Sequence, residues 1–280
     1  MGARFTRKEF LARLNAKRAA GKPIIIGASG VGIIGKTADR AGIDIIMAYC
    51  TGPTRLNGNA GQLGYMAYVD SNGTSIEMGK KILDRVKDTP MVAGIGPADP
   101  YRDIDETIDE LIELGFSGIT NVPTVGGHEG ALRTLLEQHG VGYNGEVELI
   151  RKCHEKDIFT IAYAFNVEET EAMVKAGADI LCPHVGVTKD KAFTYESMTT
   201  VEQAAVKINA MKKAAKAINP EVFVACHGGP FADPESVQEG FKLTGAEAFV
   251  GASTVERIPV EKAIEEVVGE FSNLKLYLNR

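Results

Sequence analysis

Cysteine is scarce in this 280-residue chain and never closely spaced: Cys50, Cys153, Cys182 and Cys226 form no C-x-x-C pair. That excludes a thioredoxin-type redox motif and a small disulfide framework, and leads us to expect reduced thiols in a cytoplasm. Long apolar runs are missing too, and none approaches the roughly 20 residues that a membrane-spanning helix needs. Positive charge is not in excess; the formal net charge of −6 removes nucleic acid and anionic membranes from the expected partners. An anionic substrate would have to be met by local Arg, Lys and backbone dipoles. The five histidines show no H-x-H or H-E-x-x-H spacing, so nothing supports zinc. The first residues do not read as a signal peptide. Thr6-Arg7-Lys8-Glu9 reads instead as a capping box opening a short amphipathic helix with Phe10, Leu11 and Leu14 on one face.

What is present is a regular alternation. Short β-rich apolar runs at 24–26, 43–48, 91–95, 118–121, 159–163, 179–181, 222–225 and 248–250 are separated by stretches with helical spacing, such as Ile104, Ile108, Leu111 and Ile112. Eight such units with no linker predict an α/β chain folded as a single (β/α)8 TIM barrel over 1–280, with an N-terminal helix in 1–21 and the barrel in 22–280. The repeated Ala-Gly-x-Asp form at Ala41 and Ala176 reads as a helix stop running straight into a strand. Three connections are longer than a turn requires: 50–72 after strand 2, with Arg55, Tyr65, Tyr68 and Asp70; 123–144 after strand 4, with its own short helix; and 184–199 after strand 6, with Lys189 and Lys191. Long loops in a compact domain are commonly binding loops or lids.

The chemistry-bearing residues fall at the ends of those runs. Cys226-His227-Gly228-Gly229-Pro230 and Gly251-Ala252-Ser253-Thr254 follow strands 7 and 8, where barrels often build a phosphate site from backbone N–H groups. The same glycines could simply close tight turns. Gly30 through Thr37 satisfies the P-loop pattern, yet no later strand ends in the acidic residue a nucleotide-bound Mg2+ needs, and eightfold alternation suits a barrel better. His227, His184 and His128 could face one cavity as acid, base or ligand, or merely bond neighbouring loops. His139 and His154 read as surface residues. Cys226 and His227 point to opposite sides of their strand and cannot form a dyad. Asp99, before Pro100, is a candidate acid or metal ligand and equally a turn residue. Arg55 and Arg257 could each clamp a carboxylate or phosphate, although Glu256 hints at a local ion-pair network around Arg257. Glu146 and Glu148 read as helix-opening residues.

The ordered set Asn121-Val122-Pro123-Thr124-Val125-Gly126, Gly145-Glu146-Val147-Glu148, Ala176-Gly177-Ala178-Asp179, His184-Val185-Gly186, His227-Gly228-Gly229-Pro230 and Gly251-Ala252-Ser253-Thr254-Val255-Glu256-Arg257 resembles the phosphoenolpyruvate hydrolase-like TIM-barrel family, also described as TIM-barrel signal-transduction proteins. The resemblance spans about 22–271. It implies kinship with the phosphoenolpyruvate/pyruvate barrel superfamily, an enolate-like intermediate, an anionic pyruvate-like substrate and, often, Mg2+. Acidic metal ligands have no secure place, Asp99 and Glu129 being positional candidates only. After strand 2 the chain reads Cys50-Thr51-Gly52-Pro53-Thr54-Arg55 where the family pattern is Asn-Ser-Gly-Arg, which implies a lid with a different substrate preference. The leading expectation is a hydrolase acting on a small phosphorylated or α-keto carboxylate. In it Gly228, Gly229, Gly251, Ala252 and Ser253 hold anion oxygens, Arg55 and Arg257 clamp, His227 or His184 moves the proton, and Asn121 with Thr124 orients the substrate. A retro-aldol C–C lyase needs the same enolate stabilisation. A non-catalytic metabolite-sensing or protein-binding barrel ranks next, and an FMN-dependent oxidoreductase last. Self-association is expected.

Overall fold

The strand runs and helical stretches fold into one closed layer inside another. In the computed structural model, which describes residues 5–66, 68–188 and 199–277, α1 (Arg7–Ala19) precedes eight parallel strands. These are β1 (Ile24–Ala28), β2 (Ile45–Ala48), β3 (Met91–Gly94), β4 (Gly118–Thr120), β5 (Phe159–Ala164), β6 (Ile180–Pro183), β7 (Phe223–His227) and β8 (Ala248–Gly251). They pair in sequence order, and β1 closes the ring against β8 with Ile24 opposite Ala248 and Gly27 opposite Gly251. Between them lie α2 (Gly32–Arg40), α3 (Thr51–Leu56), α4 (Ser71–Ile82), α5 (Ile104–Leu114), α6 (Gly130–Gln138), α7 (Tyr143–Glu155), α8 (Val167–Lys175), α9 (Val201–Ile218) and α10 (Pro234–Thr244), with α11 (Ser253–Ser272) last. No helix of the described residues is long and apolar enough to cross a membrane.

Side-chain alternation along each strand sorts the core. Ile24, Ile26, Ile45, Met47, Phe159, Ile161, Phe223 and Ala225 point inward and pack together, while Ile46, Ala93 and Ile119 face outward onto helices. The amphipathic N-terminal helix closes the bottom of the barrel. Its capping box forms as read, with Thr6 and Glu9 bonding each other's backbone, and Phe10 stacks on Phe159 with ring centroids 3.8 Å apart. Fully burying such a phenyl group contributes about 1.5–3 kcal/mol. With the lower end sealed, ligand access is left to the end where the strands terminate.

Each strand differs from the sequence expectation by one or two residues at one or both ends, and two of these shifts have a visible cause. β2 starts at Ile45, two residues late, because the Ile43 N–H bonds back to the Ala38 carbonyl at 3.2 Å and ends the preceding helix. β7 continues through His227, since Cys226 and His227 pair with Phe249 and Val250. Lys189 and Lys191 lie outside the described residues.

Candidate active site

A cavity of about 740 Å3 opens at the C-terminal end of the barrel. His227 ends β7, and its side chain points inward while Cys226 is packed outward, as strand alternation requires. Its Nδ1 lies 2.8 Å from the Val250 carbonyl oxygen on the neighbouring strand. A carbonyl only accepts, so the ring carries its proton on Nδ1 and keeps a lone pair on Nε2. Burial lowers the His227 pKa to about 4, with the Val250 bond opposing and the Arg55 charge adding; the imidazole is neutral at pH 7. His184, just after β6, has the opposite tautomer. The Gly186 N–H donates to its Nδ1 at 3.2 Å, which leaves the proton on Nε2. Burial, then the His227 and Lys207 charges, pushes its pKa well down. The two rings sit 5.0 Å apart, centroid to centroid, with Tyr163 edge-on to His227 at 5.1 Å and Phe165 stacked on His184 at 4.9 Å. One neutral acceptor and one neutral donor therefore face the same space.

Arg55 reaches the cavity from α3. Its Nε donates to Glu256 Oε1 at 2.7 Å, and Nη1 donates to the Thr51 hydroxyl. Nη2 lies 2.5 Å from the same Glu256 oxygen, a direct ion pair made off hydrogen-bond alignment. Burial works against the guanidinium's charge, but Tyr49 and Glu256 outweigh it and raise its pKa. Burial pushes the Glu256 carboxyl up, and the guanidinium together with the Gly30 N–H, at 2.8 Å, pulls it back. With Arg55 charged and in direct contact, the pair is ionic. Glu256 thus serves Arg55, not its neighbour Arg257 as the sequence hints. Arg257 bonds Glu261 at 2.5 Å and also lines the cavity, beside Ala252 and Ser253. The first turn of α11 has no side-chain cap, so its positive end adds to this cationic side.

The other candidates sit elsewhere. Gly228 and Gly229 take φ of +77° and +52°, and a Cβ on Gly228 would lie 2.2 Å from the Gly186 carbonyl oxygen. The Gly229 N–H donates to that same carbonyl at 2.9 Å. These glycines lock the loops after β6 and β7 together, and with Gly251 they stand behind the residues that line the cavity. Thr124 lines it, whereas Asn121 is fully buried behind it: the Asn121 amide accepts from the Tyr163 N–H at 2.7 Å and donates to the Tyr163 carbonyl and to Glu146. Glu146 is buried inside α7 as the partner of that amide and of the Val125 N–H at 2.7 Å, more than the helix-opening residue the sequence suggests. Asp99 lies away from the cavity, held by Asn72 at 2.9 Å and Arg102 at 3.2 Å. The P-loop-like segment packs on the strand 2 loop, where a Cβ on Gly30 would meet the Gly52 backbone at 2.6 Å. Sequence reasoning missed Tyr49, Thr51, Tyr163 and Phe165 as lining residues. The readable signal was their position at strand C-termini.

A divalent cation does not fit the residues described. Mg2+ prefers carboxylate oxygens, but no carboxylate lines the cavity, and no group of three or more His, Cys, Asp or Glu side chains converges anywhere among the described residues. Glu256, Glu146 and Asp99 all have the partners named above, and two arginines border the space.

A family model described as phosphoenolpyruvate hydrolase-like matches residues 9–274. A tomato (Solanum lycopersicum) protein, ToMV susceptible protein tm-1(GCR26), is 36% identical over 267 residues, covering 95% of this chain and 35% of that protein. The chain spans between 35% and 44% of the length of the curated relatives it matches. Among solved structures, phosphonopyruvate hydrolase in complex with oxalate and Mg2+ superposes with a TM-score of 0.59 at 16% identity, covering 96% of this chain and 87% of that one. 2,3-Dimethylmalate lyase, a member of the PEP mutase/isocitrate lyase superfamily, gives 0.59 at 16% identity, covering 98% and 92%. At such identities these likenesses describe the fold.

Proposed function

We propose that this chain, which belongs to the phosphoenolpyruvate hydrolase-like family, is a hydrolase or lyase acting on an α-keto or phosphorylated carboxylate through an enolate-like intermediate. One observation carries the reading: a charged arginine, paired with buried Glu256, borders the same cavity as two neutral imidazoles of opposite tautomer. Arg55 and Arg257, with the start of α11, bind the carboxylate. The His227 Nε2 lone pair takes a proton, from water in a hydrolysis or from a β-hydroxyl in a retro-aldol cleavage. The His184 Nε2–H donates to the oxygen on which enolate charge develops. Fixed donors in a water-poor cavity stabilise such charge without reorganising at the moment of reaction. Hydrolysis and C–C cleavage need the same arrangement, and assay separates them.

The test is a panel of phosphoenolpyruvate, phosphonopyruvate and 4-hydroxy-2-oxo acids, whose hydroxyl lies β to the ketone, followed by coupled detection of pyruvate or the released keto acid. The protein is expected to turn over at least one class. His227→Gln, which keeps a side chain of similar reach, is expected to lower kcat by about 10²–10⁴-fold. Failure of the whole panel, with anion binding unchanged in His227→Gln, would replace the enzyme reading with that of a metabolite-binding barrel.

A further inference from the structure

The cavity wall is cationic after β2 and β8 and mainly apolar after β4 and β5, and one further apolar side chain, Met66, lies on the Arg55 loop. The cations Arg55 and Arg257 arrive after β2 and β8, the strands that flank β1. After β4 and β5, on the far side, come Val122, Leu132 and Phe165. Three of the residues lining the cavity are large apolar side chains left open to water: Met66 is 49% exposed, Leu132 54% and Val187 53%. They come from three separate loops, those after β2, β4 and β6, so no single amphipathic element accounts for them. Gln62 and His128 add polar groups on these loops. A volume of about 740 Å3 falls in the range that holds a drug-sized ligand. A three-carbon acid seated on Arg55 would leave most of it as water against apolar walls, which is unfavourable.

From this segregation we propose that the substrate is an amphipathic 2-oxo acid, with its carboxylate and carbonyl at the arginine–histidine side and an aliphatic or aryl tail lying along Phe165 and reaching Leu132, Met66 and Val187. The inference rests on the carboxylate-binding reading given above and adds the tail. It narrows the pyruvate-like expectation to longer acids.

The experiment is calorimetric titration of the full chain with pyruvate, 2-oxobutanoate, 2-oxohexanoate, 2-oxooctanoate and phenylpyruvate at fixed pH and ionic strength. Octylammonium serves as a tail-matched cation. Kd is expected to fall by about fourfold for each of the first added methylenes, and octylammonium is expected not to compete. Leu132→Glu and Met66→Glu change exposed side chains, so folding is not at issue; each is expected to flatten the dependence on chain length. Val206→Glu, on an exposed site of α9 (72% exposed), is expected to leave the dependence as it is. Pyruvate binding as tightly as 2-oxooctanoate, or a slope that survives Leu132→Glu and Met66→Glu, overturns the tail while leaving the carboxylate site standing. Binding by none of the acids, or equal binding of octylammonium, overturns the carboxylate site and the tail with it.

Discussion

Glu146 and His227 are buried groups whose titrations pull folding stability in opposite directions. Burial pushes the Glu146 carboxyl up to about 7, only partly offset by bonds from Thr124, the Val125 N–H and Asn121. The folded chain therefore holds this proton to higher pH than the unfolded chain. The stability it contributes is full below about 4.5 and is lost as pH rises through about 7. For His227, lowered to about 4, the contribution is present above about 6.5 and lost as pH falls through 4. Glu146→Gln isolates the first effect. The variant is expected to be less stable than the parent near pH 5, because an amide NH2 cannot accept, whereas both Glu146 oxygens accept bonds from Asn121 and the Val125 N–H. It should regain up to roughly 3 kcal/mol relative to the parent by pH 8. Urea unfolding at the two pH values measures this, and an unchanged difference would mean that no such buried titration exists. The histidines were legible in the sequence because the residue that ends a barrel strand faces the open end. The Arg55–Glu256 pair was not, since 201 residues separate its members and neither side chain announces a partner. Asn121 looked like a substrate residue, yet nothing in its local sequence says that the backbone of Tyr163 on the next strand will occupy it.

Among the elements, α11 departs most from what a barrel helix does. Its first turn packs on β1, with Val255 against Gly27, and then Pro259 interrupts the hydrogen-bond ladder. Beyond it, Ile264, Val267, Val268 and Phe271 form a stripe at helical spacing that is 58%, 47%, 56% and 69% exposed. Ile25, which points outward from β1 where the last helix of a barrel would cover it, is only half-buried. The stripe on α11 is left open while Ile25 is only partly covered, which favours cover by a second copy. The chain is expected to self-associate, and Val268→Glu with Phe271→Glu is expected to yield monomers with an unchanged melting profile at low concentration. Sedimentation velocity across a concentration series checks this; a wild type that stays monomeric rules the association out. The sequence revealed the amphipathic spacing of this helix, because periodicity is local. Where the stripe would be buried depends on the direction α11 takes after Pro259, which periodicity does not carry.

For the molecule as a whole, alternation of strand and helix was enough to read the barrel, since eight local patterns each repeat the same hydrophobic rule and closure follows from their number. Charge placement could not be read that way. The chain has 37 acidic residues, yet among the described residues the cavity has two arginines, three histidines and no carboxylate on its wall. Three acids that could have served it are already bound: Glu256 by Arg55, Glu146 by Asn121 and Asp99, away from the cavity, by Arg102. A hard divalent cation would have to displace these contacts or sit among hydroxyls and imidazoles beside like charges, both unfavourable. Carboxylate binding at Arg55 is therefore expected to be the same in EDTA as in millimolar Mg2+. It should instead weaken with rising ionic strength, as an arginine-based site does when salt screens it. Titrating one 2-oxo acid under the three conditions decides the matter. A gain of about tenfold with Mg2+ would mean that carboxylates do reach the cavity and complete a metal site. Equal affinity would mean that the arginines supply the positive charge that Mg2+ would otherwise bring to the substrate's carboxylate.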